Sequence, residues 1–531
     1  MRLSLIFLVA AIFLVSCLDE FQKDLDRIAK PDWNPQVGIP FLNGSFTMED
    51  YVDATSDDIT VTQSAEGVVI IEYSGEPVTS DYAEDLIEVP TQTFNKSMTL
   101  PVGPATTGTV NFTQNFDSDI NPEPGSTDVI DSVYLKAGTL TLQIETNVPA
   151  DGVIGLTINS LDKEGTAITY SAGWTYDAGN PEQNILEDID LAATFGDFTK
   201  NGTAINNFNF DAEATLTLIG QPLAPTHYLR VNIEITNPKF QLVYGKFSER
   251  EFTTELETVG LGIFDSVAIE GFYLDQPSVE FNFSSSYGVP VEANILTLEA
   301  INSNNEVLPF SGSAISNPTQ VSGPAIDEVG SSVETSLVID KTNSNITEVI
   351  SFLPSELNYQ FSGKVLSPDP NTSQFVLDTS RVIGDYKVVL PLDGRVARFE
   401  SEHTVSMGGG DQEIDFIDEA QLIVKSTNGL PVKVGLEITF LDEFDNEIIT
   451  LFKDKTVLEP GEIDTDGFVV NPTENTLEET LTGEEATRML SASRAIIKTV
   501  LNTGENGTEI VKFRMTDNVS ISLYLQTSLK F

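Results

Sequence analysis

Cysteine occurs once in the 531 residues, at Cys17, so no intramolecular disulfide can form. Histidine occurs twice, as His227 and His403, and neither is followed within five residues by another His, Cys, Asp or Glu. That leaves no zinc-type ligand spacing and no cysteine nucleophile beyond residue 17. There is no Gly-x-Ser-x-Gly elbow and no glycine-rich phosphate loop behind a strand. Positive charge is also scarce, with 28 Lys and Arg against 81 Asp and Glu and a formal charge of −53. Nucleic-acid binding requires cations that neutralise phosphates, and this balance excludes it. Carboxylate pairs of the kind that hydrolyse glycosides abound by composition alone, and none is singled out by its spacing. The reading is therefore non-enzymatic.

Long apolar runs are missing too, apart from Leu3–Val15, which only Ser4 interrupts. At 1.5 Å per residue this run is too short for a bilayer core of about 30 Å. A basic Arg2, a short apolar stretch and a small residue before a cut site describe a secretory signal peptide over residues 1–16. Leu14-Val15-Ser16-Cys17 resembles the lipobox of bacterial lipoproteins, which implies acylation of Cys17 and its emergence as the first mature residue. The acidic Leu18-Asp19-Glu20 that follows resembles the surface-export signal of Bacteroidota lipoproteins. The resemblance covers these residues alone. It implies an outer-membrane, lipid-anchored and surface-exposed protein, with a periplasm-facing anchor as the alternative. Loss of Arg2 takes the charge from −53 to −54, so contact with anionic membrane is expected through the lipid only.

Apolar residues make up 40% of the chain, enough to build cores, and their arrangement is repetitive. Leu156-Thr-Ile-Asn-Ser-Leu161 recurs as Leu296-Thr-Leu-Glu-Ala-Ile301 and as Leu436-Glu-Ile-Thr-Phe-Leu441, each step 140 residues long. Pro149, Pro290 and Pro431 precede them at steps of 141. A second marker, Asn201-Gly-Thr203 to Phe208, matches Asn345-Ile-Thr347 to Phe352 and Asn506-Gly-Thr508 to Phe513. Period-two alternation, as in Thr139–Ile144, predicts half-buried strands, and the Pro step predicts a turn between two of them.

The predicted fold is mainly β: three tandem β-sandwich-like repeats of about 140 residues, each with at most one short helix, plus a small N-terminal β region. The expected boundaries are a lipidated tether over 17–30, the N-terminal region 31–94, and repeats over 95–236, 237–380 and 381–531, each repeat self-contained. A helix is expected over Gly483–Leu501, opened by a capping box of Thr482 and Glu485, with shorter counterparts near 181–192 and 340–352.

Two candidate sites follow from residue type. Asp117, Asp119, Asn121, Glu123 and Asp128 stand at positions 1, 3, 5, 7 and 12 of a Ca²⁺-type loop, although Pro122 replaces the glycine such a loop needs. Trp174 and Tyr176, in a loop-like Gly173–Gly179 stretch, are candidates for stacking on a glycan ring. The functional expectation is a cell-surface scaffold or interaction module for an outer-membrane complex, with a β-barrel or companion lipoprotein as partner. The alternatives are a glycan-binding accessory lipoprotein of an uptake system and, behind it, a lipid-carrying module. The acid excess adds the expectation that association weakens as salt rises.

Overall fold

The computed structural model describes residues 36–47, 59–75, 77–86, 89–122, 127–261, 268–366, 373–406, 417–453 and 455–529. The signal peptide, Cys17 and the tether lie outside the described residues. The chain is mainly β, in antiparallel sheets, as its alternation predicts.

The turns at Pro290 and Pro431 each join two strands of different sheets, whereas the strands on either side of Pro149 diverge within one ten-stranded sheet, where Thr194–Asp197 bridges them. Before the turns run Val129–Thr146, Ser278–Ser285 and Ile417–Asn428; after them run Ala150–Lys163, Val291–Asn302 and Val432–Leu441. The strand before each turn is flanked on its two sides by Gln183–Asp190 and Leu229–Lys246, by Val333–Ile339 and Val382–Pro391, and by Thr473–Thr482 and Asn518–Leu529. The strand after each turn pairs with Asn207–Ile219, Pro354–Val365 and Arg494–Thr503. The same pairings thus surround each turn, and we call the three surroundings the first, second and third units.

Alternation places one face of every such pair in the interior. Leu140, Leu142 and Ile144 are fully buried, as are Ile154 and Ile158 on the other side of the Pro149 turn. Burying a Leu or Ile side chain contributes about 1.5–3 kcal/mol, so these runs dominate local stability. In the second unit the two layers meet through rings: Phe281 and Phe283 from one sheet lie edge-on to Phe361 from the other, with centroids 4.9 and 5.4 Å apart.

Several expectations change. The second and third units carry two short helices each, Ser313–Ser316 and Ile346–Ser351, then Gly483–Leu490 and Gly504–Gly507. The capping box is present, with Thr482 Oγ1 accepting from the Glu485 N–H at 3.2 Å and Glu485 Oε2 accepting from the Thr482 N–H at 2.9 Å. The helix nevertheless stops at Leu490, and Arg494–Thr503 is a strand. Ile496, Ile497, Thr499 and Val500 are β-branched, which favours a pleated surface over a helix. Gln183–Asp190, expected to be helical, is also a strand.

Two expected boundaries fall inside strands. Leu229–Lys246 crosses residue 236, and Gln92–Ser97 crosses residue 94. Pro238 does not end its strand because it sits where the ladder register shifts, between Thr236 and Lys239, and there its missing N–H leaves no gap. The first two units are not self-contained either, since one cluster of buried side chains extends from Ile71 to Leu390. The third has its own cluster, from Ala420 to Leu525.

The N-terminal strands form no sheet of their own. Gln36–Thr47 pairs with the last strand of the third unit, Val69–Ser74 with Val382–Pro391 of the second, and Gln92–Ser97 with Leu229–Lys246 of the first. Phe94 stacks on Phe208 of the first unit at 4.2 Å, which binds this edge strand to the core.

A three-stranded sheet of Tyr273–Leu274, Asp393–Arg395 and Val511–Lys512 joins the second unit to the third. Asp393 is buried there, and burial raises its carboxyl above the ordinary range, against the pull of Lys512 3.8 Å away. A raised carboxyl pKa means that the folded chain holds the proton more tightly than the unfolded chain does. The cost of ionising Asp393 is therefore absent at low pH and appears as pH climbs through its folded pKa. Asp393→Asn is expected to raise the melting temperature at neutral pH, with the gain vanishing below about pH 4. A melting-temperature series against pH checks this, and a loss at neutral pH would refute it.

Candidate functional site

The end of the first unit that faces away from the second is built by strand register. Thr146 pairs with both Leu229 and Gln183, Ser97 with Arg230, Ala150 with Leu218, Gly152 with Trp174, and Ile219 with Thr107. Four loops therefore emerge together, at residues 98–106, 147–149, 175–182 and 220–228. Hydrogen bonds tie them: Met98 N–H to Leu229 O at 2.9 Å, Gly220 N–H to Thr106 O at 2.7 Å, and Tyr228 N–H to Asn147 Oδ1 at 2.7 Å. Asn147 Nδ2–H donates in return to Thr226 O at 3.3 Å, and Tyr176 N–H donates to Asp151 Oδ1 at 2.8 Å.

In a chain this acidic the composition of the tip stands apart. Segments 98–108, 146–150 and 219–229 contain no Asp, Glu, Lys or Arg. Pro101, Pro104, Pro222 and Pro225 are exposed on it, as are Val102 at 51% and Ile219 at 44%. Charges stand around this surface: Asp177 and Glu182 on the 175–182 loop, Asp151 beneath Tyr176, and Glu145 with Arg230, whose guanidinium lies 4.2 Å from the Tyr228 ring centre. An uncharged apolar centre inside a polar rim is the composition of protein interfaces. Prolines hold φ near −65°, so little backbone freedom would be lost when a partner docks. His227 belongs to the scaffold of the tip, its Nδ1 accepting the Ala224 N–H at 3.0 Å.

Trp174 is not an exposed platform. It ends the strand Thr166–Trp174, is 7% exposed, and its indole N–H donates to Ala150 O at 3.0 Å. Gly152 makes room for the ring: a Cβ there would lie 2.2 Å from it. Tyr176 is half-buried. A sugar needs an open aromatic face, and neither residue provides the one expected.

The Ca²⁺-type residues are spread over different structures. Asp117 and Asp119 lie in the strand Thr107–Asp119 rather than in a loop. Asp117 accepts from Lys200 Nζ at 2.7 and 2.8 Å and from Asn209 at 3.0 Å, and the Lys200 ammonium holds its carboxyl below the usual range. Asp128 is buried against Arg250 Nη2 at 2.7 Å. Asn121 exchanges backbone hydrogen bonds with the Gln92 amide, both at 2.9 Å. Glu123 lies outside the described residues. Among the described residues no three His, Cys, Asp or Glu side chains form a group able to hold a metal.

The uncharged tip carries no sequence motif. Its loops are separated by long stretches of chain, and only strand register gathers them.

No protein-family model matches the chain, and no curated protein matches it. Among solved structures it is similar to a protein from Parabacteroides distasonis described as secreted, at 16% identity and a TM-score of 0.28, over 54% of this chain and 89% of that one. It is also similar to the structure of Sulfolobus turreted icosahedral virus, at 10% identity and a TM-score of 0.12, over 91% and 96% of the two chains. Infectious bursal disease virus (Gx strain) follows at 8% identity and a TM-score of 0.13, over 85% and 83%.

Proposed function

We propose that this chain is a non-enzymatic, lipid-anchored lipoprotein of the outer membrane that acts as a scaffold, docking a protein partner through the tip of its first unit. The observation that carries this reading is the centre of the tip, three of its four loops being free of ionised side chains in a chain of charge −53. Elsewhere the acid excess repels other acidic surfaces, whereas at the tip two proteins can approach without burying unpaired charge. Cys17, the sole cysteine, supplies the anchor. Tethering at one residue raises the effective concentration toward neighbouring membrane proteins, so even a weak contact becomes occupied. The partner is an outer-membrane β-barrel or a companion lipoprotein with an uncharged apolar surface.

The test is affinity purification of a C-terminally tagged chain from mild detergent, with the double variant Val102→Asp and Ile219→Asp beside it. Both positions are exposed, so the variant should melt with the parent. Its recovery of the partner is expected to fall at least tenfold, because burying an unpaired carboxylate costs more than about 1.4 kcal/mol. Since the centre of the tip is uncharged, recovery by the parent chain should hold as salt shortens the Debye length from about 10 to about 3 Å, in place of the weakening with salt that the acid excess alone leads one to expect. Equal recovery by parent and variant would refute the reading.

A further inference from the structure

Three N-terminal strands, Gln36–Thr47, Val69–Ser74 and Gln92–Ser97, run in one direction past the three units, and in reverse chain order, while Ile59–Gln63 folds back on the outer side of Val69–Ser74. Gln36 pairs with Ser528 and Thr47 with Asn518, so the segment crosses the third unit toward the joint with the second. Close to that joint the Val69 N–H donates to Phe513 O of the third unit, and Val69 O accepts from the Leu392 N–H. The segment then crosses the second unit, from Ile70 opposite Pro391 to Thr79 opposite Ile383. At that end Gln374–Leu377 pairs with Leu242–Gly245 of the first unit. Finally Gln92 opposite Ile235 leads to Ser97 opposite Arg230, at the uncharged tip. Among the described residues no sheet joins the first unit to the third.

We infer that this segment is a strap whose polarity sets how the molecule stands on its membrane: the free loop end of the third unit faces the lipid, and the tip of the first unit stands farthest from it. The inference rests on the reading of Cys17 as the anchor. From Cys17 to Gln36 the chain can reach at most about 70 Å. The strap then follows 12 residues along the third unit, Ile70 to Thr79 along the second and 6 residues along the first, roughly 40, 30 and 20 Å at 3.3 Å per residue. The tether therefore enters the body at the end of the third unit, and the acid excess, which anionic headgroups repel, disfavours laying the body flat, so the tip of the first unit stays farther from the lipid than that end. The lipid-facing end is identified by register as well. Ile417 and Leu529 meet there, and the strand Val432–Leu441 returns to it. The Gly483–Leu490 helix packs on both the Ile417–Asn428 and Glu447–Leu451 strands at the same end. Phe444, 75% exposed, lies in the loop there. The arrangement gives the uncharged tip a use, because a docking surface on the lipid-facing end would be screened by the membrane itself.

The test uses the mature chain with Cys17→Ser and a histidine tag in place of the acylated end, held on vesicles by chelator lipid. Single reporter cysteines replace Phe444, Val338 or Val102, which are 75%, 41% and 51% exposed. Each is labelled with a donor dye, and an acceptor is carried on the lipid headgroups. Energy transfer is expected to be several-fold higher at residue 444 than at residue 102, with residue 338 between them. Equal transfer at the three positions, or the reverse order, overturns the inference. Because the tag replaces the acyl group, the outcome does not depend on whether Cys17 is acylated in the cell. A failure of the anchor reading would show instead in lipid labelling of the native chain.

Discussion

The Cys17→Ser chain is expected to incorporate no labelled palmitate and to disappear from the membrane-bound pool, a complete loss rather than a graded one. Cys17 is the only cysteine, so no second thiol can take the acyl group. Among the described residues no helix is long and apolar enough to cross a membrane. With 28 Lys and Arg against 81 Asp and Glu, the chain as a whole is repelled by anionic lipid. Under the proposed anchor, retention rests on buried acyl CH₂ groups at about 0.8 kcal/mol each, with more than one chain needed for stable anchoring. Metabolic labelling with fractionation of the envelope checks this, and undiminished labelling in the variant would sink the anchor.

The second large effect is a contrast between two leucines at corresponding places in the sequence. Leu156→Ala is expected to cost about 2–5 kcal/mol, because Leu156 is 1% exposed and sits in a packed cluster that cannot close over the cavity. Leu296→Ala should change stability by no more than about 0.5 kcal/mol. Leu296 is 53% exposed: the ladder pairs Ile295 with Phe361 and Thr297 with Gln360, so Leu296 is the extra residue of a bulge and turns outward. Its neighbours Leu298 and Ala300, at 4% and 0% exposure, carry that core instead. Denaturant midpoints of the two variants against the parent chain check this. A large loss for Leu296→Ala would mean that the bulge is not kept in solution.

Much of the fold was legible because its signals are local. Alternation from Thr139 to Ile144 needs no partner to be recognised as a strand, and the three Pro steps mark turns wherever they pair. The start of the Gly483–Leu490 helix was legible for the same reason, since Thr482 and Glu485 satisfy each other's backbone within one turn. Its end was not: Leu490, Ile497 and Leu501 keep a helical spacing, while the β-branched run between them finds ladder partners in Val432–Leu441. Trp174 misled in another way, because flanking glycines suggest a loop. Gly152, a residue of the neighbouring strand, is what admits the ring to the core.

The sequence by itself determined that the chain is acidic, that it has one cysteine and two histidines, and that alternating segments flank three Pro steps, and it carries one segment that resembles a lipobox. These are properties of composition and of spacings within about ten residues. Only the tertiary structure decided which strands close each sheet, which leucine a bulge turns outward, and which loops meet at an uncharged tip. Nothing within the edge strands Gln36–Thr47 and Gln92–Ser97, the latter with Phe94 as its one apolar side chain, names the strand each pairs with. Their partners are chosen by backbone hydrogen bonds and by the burial of one face against distant residues, Ser528 and Arg230 among them. A contact of that kind leaves no mark within the segment itself, so the strap and the tip appear only once the chain has folded.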